Sequence, residues 1–531
     1  MKKRTLGIIL PAMLILFGSL LPARSKGYNP AQMPAYNLAK AAGTNGPDAA
    51  AMTINNFLIF VDRNGLAPLL STSGVSGDYP IGTAGIIFQE GVVWGARVRD
   101  GSDPVIRVNG STYETGLKAG KVLYDVSGQV TGSEDRTVPH VWRVRRDYAT
   151  ANLTADAGYS LSIAVENVTA THIRTVYDQY DYDWQNWPAD QGAPFDDLDN
   201  DGTYDPAVDI PGYPGAAQTI WLVTNDLPYF DSDVGYTVDP STLIYGSPAI
   251  GMEIQLTMWA YDFAPDSPLG NAIFRQTRLI YTGLPETPDT ARLDSMYIAQ
   301  WSDPDLGTWT DDFVGCDTLL DLGYVYNSVT TDAAYMNDFG LPVPAAGYTL
   351  LKGPIINGDT LGMTTFGYFG AGSISDPNMG HYSGALEWWN RMEGFMPIPS
   401  YPTQCPWTDP ITGEITKFPL SGDPIAGTGW IDGIIMPPGD KRMYQVTGPF
   451  TMALGDTQDV VVALIGAMGN DNISSLAELK KSTQFIRQSY RNNLVLNGFI
   501  AQADYDAQDS TSFTLNVSTV SSITTVSAKF R

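Results

Sequence analysis

Six carboxylates fall within the fourteen residues from Asp196 to Asp209, which read D-D-L-D-N-D-G-T-Y-D-P-A-V-D. Aspartates at alternate positions around one glycine suit a hard cation. Calcium takes about six to eight oxygens, and alternate side chains along a tight turn can all face one ion. Gly202 permits the sharp bend that such a turn needs. The expected ligands are Asp197, Asp199, Asp201, Asp205 and Asp209 through their carboxylates, and Thr203 through its backbone carbonyl. The expected cofactor is a structural calcium ion.

The stretch departs from an EF-hand in an informative way. The twelfth loop position is Val208 where a bidentate Glu belongs, and Tyr204 stands where an aliphatic residue belongs. Pro188 and Pro194 argue against a helix running into the loop. Over these residues the chain resembles the helix-poor D-x-D-x-D-G-x-x-D loops of dockerin-like and thrombospondin type 3 modules. Without the helices and the twelfth ligand, the stretch reads as a structural clamp and not a sensor. A second acidic stretch holds Asp303, Asp305, Asp311, Asp312 and Asp317. It is either a second cation site or a run of ordinary Asx turns.

Enzyme templates give nothing comparable. His140, His172 and His381 are isolated, and no H-E-x-x-H, G-x-S-x-G or G-x-x-x-x-G-K-[ST] motif occurs. Cys316 and Cys405 lie far apart without a neighbouring histidine, and no catalytic residue is assigned. A glycosidase needs only two carboxylates at a set separation, which so many acids neither point to nor exclude. Tyr180, Tyr182, Trp184 and Trp187, and separately Trp388 and Trp389, are either stacking platforms for sugars or sheet core. The net charge of -26 repels phosphate backbones and anionic membranes, so nucleic acid is not an expected partner.

The elements that must position these groups read as mainly β. Of 531 residues, 43% are hydrophobic and only 17% charged, with 53 Gly, 36 Pro and 28 Tyr. Low charge with many turn formers and aromatics fits antiparallel β-sandwich-type domains with long loops. Residues 1–25 read as a signal peptide, with Lys2-Lys3-Arg4, an apolar run from Leu6 to Leu21, and Ala23-Arg24-Ser25. The order expected beyond it is a linker over 26–50, an N-terminal β region over 51–195 and the acidic loop over 196–215. A main β domain over 216–495 and a C-terminal β tail over 496–531 follow.

Strands are expected at Thr53–Phe60, Gly85–Val98, Val105–Val108 and Val141–Val144, with strand-like pieces continuing to about Thr175. Further strands, at Ile254–Tyr261, Ile273–Tyr281 and Met296–Trp301, have short connections that imply one antiparallel meander. Residues 340–440 read as long loops with short strands. Arg442–Met452 and Asp459–Met468 read as a connected strand pair. One helix is expected near 475–491, with a Ser475/Glu478 capping box and a stripe of Leu476, Leu479, Thr483, Ile486 and Tyr490. In an oxidising compartment the two cysteines are expected to bridge, closing roughly 90 residues for about 4 kcal/mol.

Several segments together resemble a family of large, uncharacterised exported bacterial β-rich proteins, many ending in a type IX secretion sorting domain. They are Arg107–Tyr113, Val144–Tyr148, Trp187–Thr219, Gln300–Gly307, Asp311–Asp317, and Gly448–Thr451 with Gly455-Asp456. No sorting domain is recognised up to Arg531. The resemblance implies a secreted or surface-attached β protein and supplies no activity. The expected function is structural or adhesive, at the cell surface or outside, stabilised by calcium. Cell-surface components or polysaccharide are the expected partners, and an extracellular glycan binder or hydrolase is the competing class.

Overall fold

The computed structural model describes residues 48–67, 77–136, 138–370, 374–396 and 403–491, together with the backbone of strands at 500–504, 514–519 and 522–523. The signal-type segment, most of the 26–50 stretch and much of the tail lie outside the described residues. The fold is mainly β, with 38% strand against 19% helix, and every strand pair in it is antiparallel.

Only the strands of the two large sheets are numbered. In chain order they begin with Gln89–Arg99 (β1), Ile106–Gly110 (β2), Lys118–Ala119 (β3), Trp142–Arg145 (β4), Gln218–Asn225 (β5), Met252–Ala260 (β6) and Ala272–Tyr281 (β7). They continue with Arg292–Asp303 (β8), Asp312–Asp317 (β9), Leu322–Asn327 (β10), Pro344–Lys352 (β11), Thr365–Gly370 (β12), Lys441–Ala453 (β13) and Thr457–Met468 (β14). The helices are Thr154–Ser160 (α1), Ala170–Gln185 (α2), Pro240–Tyr245 (α3), Ala333–Phe339 (α4), Tyr382–Met392 (α5) and Asn472–Arg491 (α6).

The nine-stranded sheet runs β4-β5-β6-β7-β14-β11-β10-β9, with β3 beside β4 on the same side of β5. The five-stranded sheet runs β12-β13-β8-β1-β2. Strands from 51–195 therefore form one edge of each sheet, beside strands from 216–495.

The two sheets face each other, and alternation along β14 shows how. Val460, Val462 and Leu464 enter the cores between the sheets, while Val461, Ala463 and Ile465 turn outward under α6. A central strand covered on both faces reads as an unbroken apolar run, as this one does. Helix α6 closes the outer face with Leu476, Leu479, Thr483 and Ile486, all fully buried, so the expected stripe docks as read. On the far side α5 lays Trp388, Trp389 and Met392 over Tyr297, Phe369 and Tyr444 of the five-stranded sheet. One buried ion pair crosses the sandwich, from Arg275 on β7 to Glu90 on β1 at 2.8 Å.

Several expectations are corrected. Of the meander expected for β6, β7 and β8, the β6–β7 pair holds, but β8 leaves for the other sheet. Strands β13 and β14 form as read and are joined by a short connection, and they lie in different sheets. Both crossings meet at one end of the sandwich, where Gly455 N–H donates to Tyr281 (2.8 Å) and Leu454 N–H to Ala291 (3.2 Å). The Thr53–Phe60 strand is instead a bend between two short paired strands, Ala49–Met52 and Ile59–Asp62. Within 340–440, helix α5 was not expected.

Helix α6 begins a turn early. Asp471 accepts the Ser474 N–H at 2.8 Å, whereas the Ser475 hydroxyl bonds Val343, so the proposed capping box is absent. The cysteines are free thiols, with Cys316 buried beside Pro419 and Cys405 near Met396.

The largest correction lies upstream of the aspartates, where α1 and α2 replace the expected strands. Thr169 caps α2 reciprocally with His172. Val176, Tyr180 and Asp183 then face inward at helical spacing. A buried polar knot fixes this helix pair to the sheet edge. Arg143 on β4 pairs with Asp156 on α1, which also accepts the Tyr180 hydroxyl (2.7 Å) and the Ser160 hydroxyl (2.8 Å). Gln218 on β5 donates to Tyr180 (3.0 Å) and accepts the Thr53 N–H (2.9 Å).

Burial alone would raise the Asp156 carboxyl, but Arg143 and these donors hold it below its ordinary value. A depressed carboxyl contributes stability above its unfolded value, near pH 4, and loses it as the pH falls through the folded one. Asp156→Asn is therefore expected to cost about 3–5 kcal/mol in urea unfolding at neutral pH. The deficit should shrink on acidification below about pH 4. An equal deficit at both pH values contradicts the assignment.

Candidate metal centre in the aspartate turn

Helix α2 ends at Gln185, and the next residues tie the approach to the sheet. Trp187 is buried among Val144, Ala193, Trp221 and Val223, and its indole N–H donates to Pro194 (2.8 Å). Phe195 and Asp196 then pair with Pro211 and Ile210, closing a neck. Arg146, just past β4, grips Asp196 at that neck. Above it the turn leans on the end of α2. The Tyr204 hydroxyl donates to the Trp184 carbonyl (2.6 Å), and the Trp184 indole N–H to the Pro206 carbonyl (3.2 Å).

Inside the turn, carboxylates face backbone N–H groups. Asp197 accepts from Asp201 (3.2 Å) and Gly202 (2.8 Å). Asp209, only 2% exposed, accepts from Leu198 (2.9 Å) on one oxygen and Asp205 (2.8 Å) on the other. Asn200 (φ 60°) and Gly202 (φ 77°) supply the left-handed backbone that curls these donors inward.

The result is a convergence. One carboxylate oxygen from each of Asp197, Asp199 and Asp209 lies within 4.8 Å of the other two. Oxygens on one calcium, each about 2.3–2.6 Å from it, sit no more than about 5 Å apart, so the three fit one coordination sphere. Desolvation in the turn and the like charges of Asp201, Asp209 and Asp197 hold the Asp199 carboxyl above its ordinary value.

The other expected ligands are not part of this convergence. Asp201 turns one oxygen back to the Thr203 N–H (2.7 Å), and Asp205 turns one to the Ala207 N–H (2.9 Å). Asp201, Thr203 and Asp205 are exposed.

The second acidic stretch disperses. Asp312 is buried and accepts the Leu306 N–H (3.1 Å), while Asp317 accepts the Leu319 N–H and pairs with Lys480 (3.1 Å). Burial, reinforced by the neighbouring Asp305 charge, pushes the Asp303 carboxyl well up. Burial and then the Asp440 charge bring Asp305 to about 7.

The structure changes one sequence reading here and decides another between its two alternatives. His140 is not isolated, because its Nε2 meets the fully buried Asp183 at 2.6 Å. Asp183 also accepts the Arg143 N–H (2.8 Å) and the Gln179 amide (2.7 Å), so the pair pins α2 to β4. Of the suspected stacking aromatics, Tyr180, Trp187, Trp388 and Trp389 are interior and only Tyr182 is well exposed. Among the described residues no helix is long and apolar enough to cross a membrane. Comparison with protein-family models and with curated proteins finds no match.

Because Asp209 closes the turn through two N–H groups, its role is testable without any ion. With chelator present, Asp209→Ala is expected to lower the unfolding free energy by about 1–3 kcal/mol. Asp205→Ala, at an exposed carboxylate, should cost less than about 1 kcal/mol. Equal costs in denaturant unfolding contradict the geometry.

Proposed function

We propose that the protein is a secreted or cell-surface β-sandwich protein with a structural or adhesive role, whose aspartate turn binds calcium as a stabilising clamp. The observation that carries this reading is the convergence of Asp197, Asp199 and Asp209 in a turn already pinned at its neck and on α2. An ion there would neutralise carboxylates that otherwise repel one another. It would also lock the helix pair, the neck and the β4–β5 edge together. Export is supported by the signal-type N-terminus, and a cation as the natural ligand by the acidic composition.

Linkage sets the size of the effect. With a dissociation constant of about 0.1 mM and about 1 mM calcium, binding adds roughly 1.4 kcal/mol. Thermal unfolding should therefore rise by roughly 1–3 °C from EDTA to calcium, and by less in magnesium. Asp199 is the exposed ligand, so Asp199→Asn should leave the EDTA melting point unchanged and reduce the calcium shift. A calcium shift as large in this variant as in the parent sinks the assignment, as does the absence of any shift in the parent protein.

A further inference from the structure

Strands β8 and β13 run side by side, with Ser302 paired to Met443 near the end of one and the start of the other. That register brings Asp303 and Asp305, which lead out of β8, beside Asp440, which leads into β13. One carboxylate oxygen from each lies within 4.8 Å of the other two. Sequence reading grouped Asp303 with Asp311 and Asp317; the strand pairing selects Asp440 instead, some 135 residues away along a chain that returns beside itself.

Asp303 gives the cluster its chemical interest. It is 6% exposed, and its Oδ2 accepts the Tyr113 hydroxyl at 2.8 Å, yet its Oδ1 is buried with no hydrogen-bond partner. A buried carboxylate oxygen without a donor is costly and calls for a positive partner. The neighbouring guanidinium is Arg442, which holds Asp440 (2.5 Å) and also Asp376. Four carboxylates thus share one fixed positive charge. We propose that Asp303, Asp305 and Asp440 form a second binding site for a hard divalent cation of the calcium class, separate from the aspartate turn. Bound there, the cation would tie the mouth of the five-stranded sheet across β8 and β13, as the first clamp ties α2 to the other sheet.

Terbium, a luminescent stand-in for calcium, tests this directly. The Tyr113 ring touches Asp303 through its hydroxyl and lies 4.9 Å from the Trp301 ring, so both can sensitise an ion at this site. The protein is titrated with terbium as the parent, as Asp199→Asn, as Asp440→Asn and as the double variant, and then with competing calcium. In the Asp199→Asn background, calcium-displaceable emission is expected to persist, and adding Asp440→Asn should weaken apparent affinity by roughly tenfold or more. Asp305→Asn, at a loop position, repeats the test if Asp440→Asn melts early. Loss of all emission with Asp199→Asn alone overturns the second site, as does emission in that background indifferent to both Asp440→Asn and Asp305→Asn. If the parent and Asp199→Asn behave alike while Asp440→Asn abolishes binding, the second site stands and the first fails.

Discussion

A charge removed from water must be paired, and the pairing of Arg143 with Asp156 fixes everything around the aspartate turn. Arg143 belongs to the edge strand β4 and Asp156 to the helix beside it. Tyr180, bonded to the same carboxylate, belongs to the next helix. Three elements far apart in character thus share one buried anion. Helix α2 can sit in only one orientation on that knot, and its last turn then presents Trp184 to the chain that follows. The neck at Phe195–Asp196 and the Arg146 contact hold the other side. The turn is suspended between two rigid supports.

Within the turn, repulsion and hydrogen bonding oppose each other. Asp197 and Asp209 each accept two backbone N–H groups, which hold their carboxylates in place within the turn. Asp199 is supported only by the Asp201 backbone, and desolvation and the like charges of its neighbours outweigh it. A site with two preorganised ligands and one exposed ligand pays little to close on an ion, because most of the ordering is already done by the backbone. That arrangement suits a clamp whose occupancy follows the surrounding calcium concentration.

What the sequence made legible follows from period and composition. Alternation in β6 and β7, the long apolar run of β14 and the stripe of α6 are local signals, and each survived into the fold. The aspartate turn was legible because glycine and alternating acids act over a few residues. Membership of a sheet was not legible, since β7 and β8, or β13 and β14, are separated by short connections that look the same whether the chain folds back or crosses over. Helix α2 was hidden by its aromatic content, because Tyr177, Tyr180, Tyr182 and Trp184 are equally at home in strands. The grouping of Asp440 with Asp303 depended on a long-range register that no local pattern encodes. The selection of Asp209 over Asp201 and Asp205 depended on which side chains the curled backbone recruits for its own N–H groups.

The central claim is that one ion sits between Asp197, Asp199 and Asp209, and crystallography can see it. Crystals grown with saturating calcium, measured at a long wavelength where calcium scatters anomalously, should show a peak about 2.3–2.6 Å from a carboxylate oxygen of each of the three. Well-ordered density for the turn with no anomalous peak among these oxygens would contradict the account.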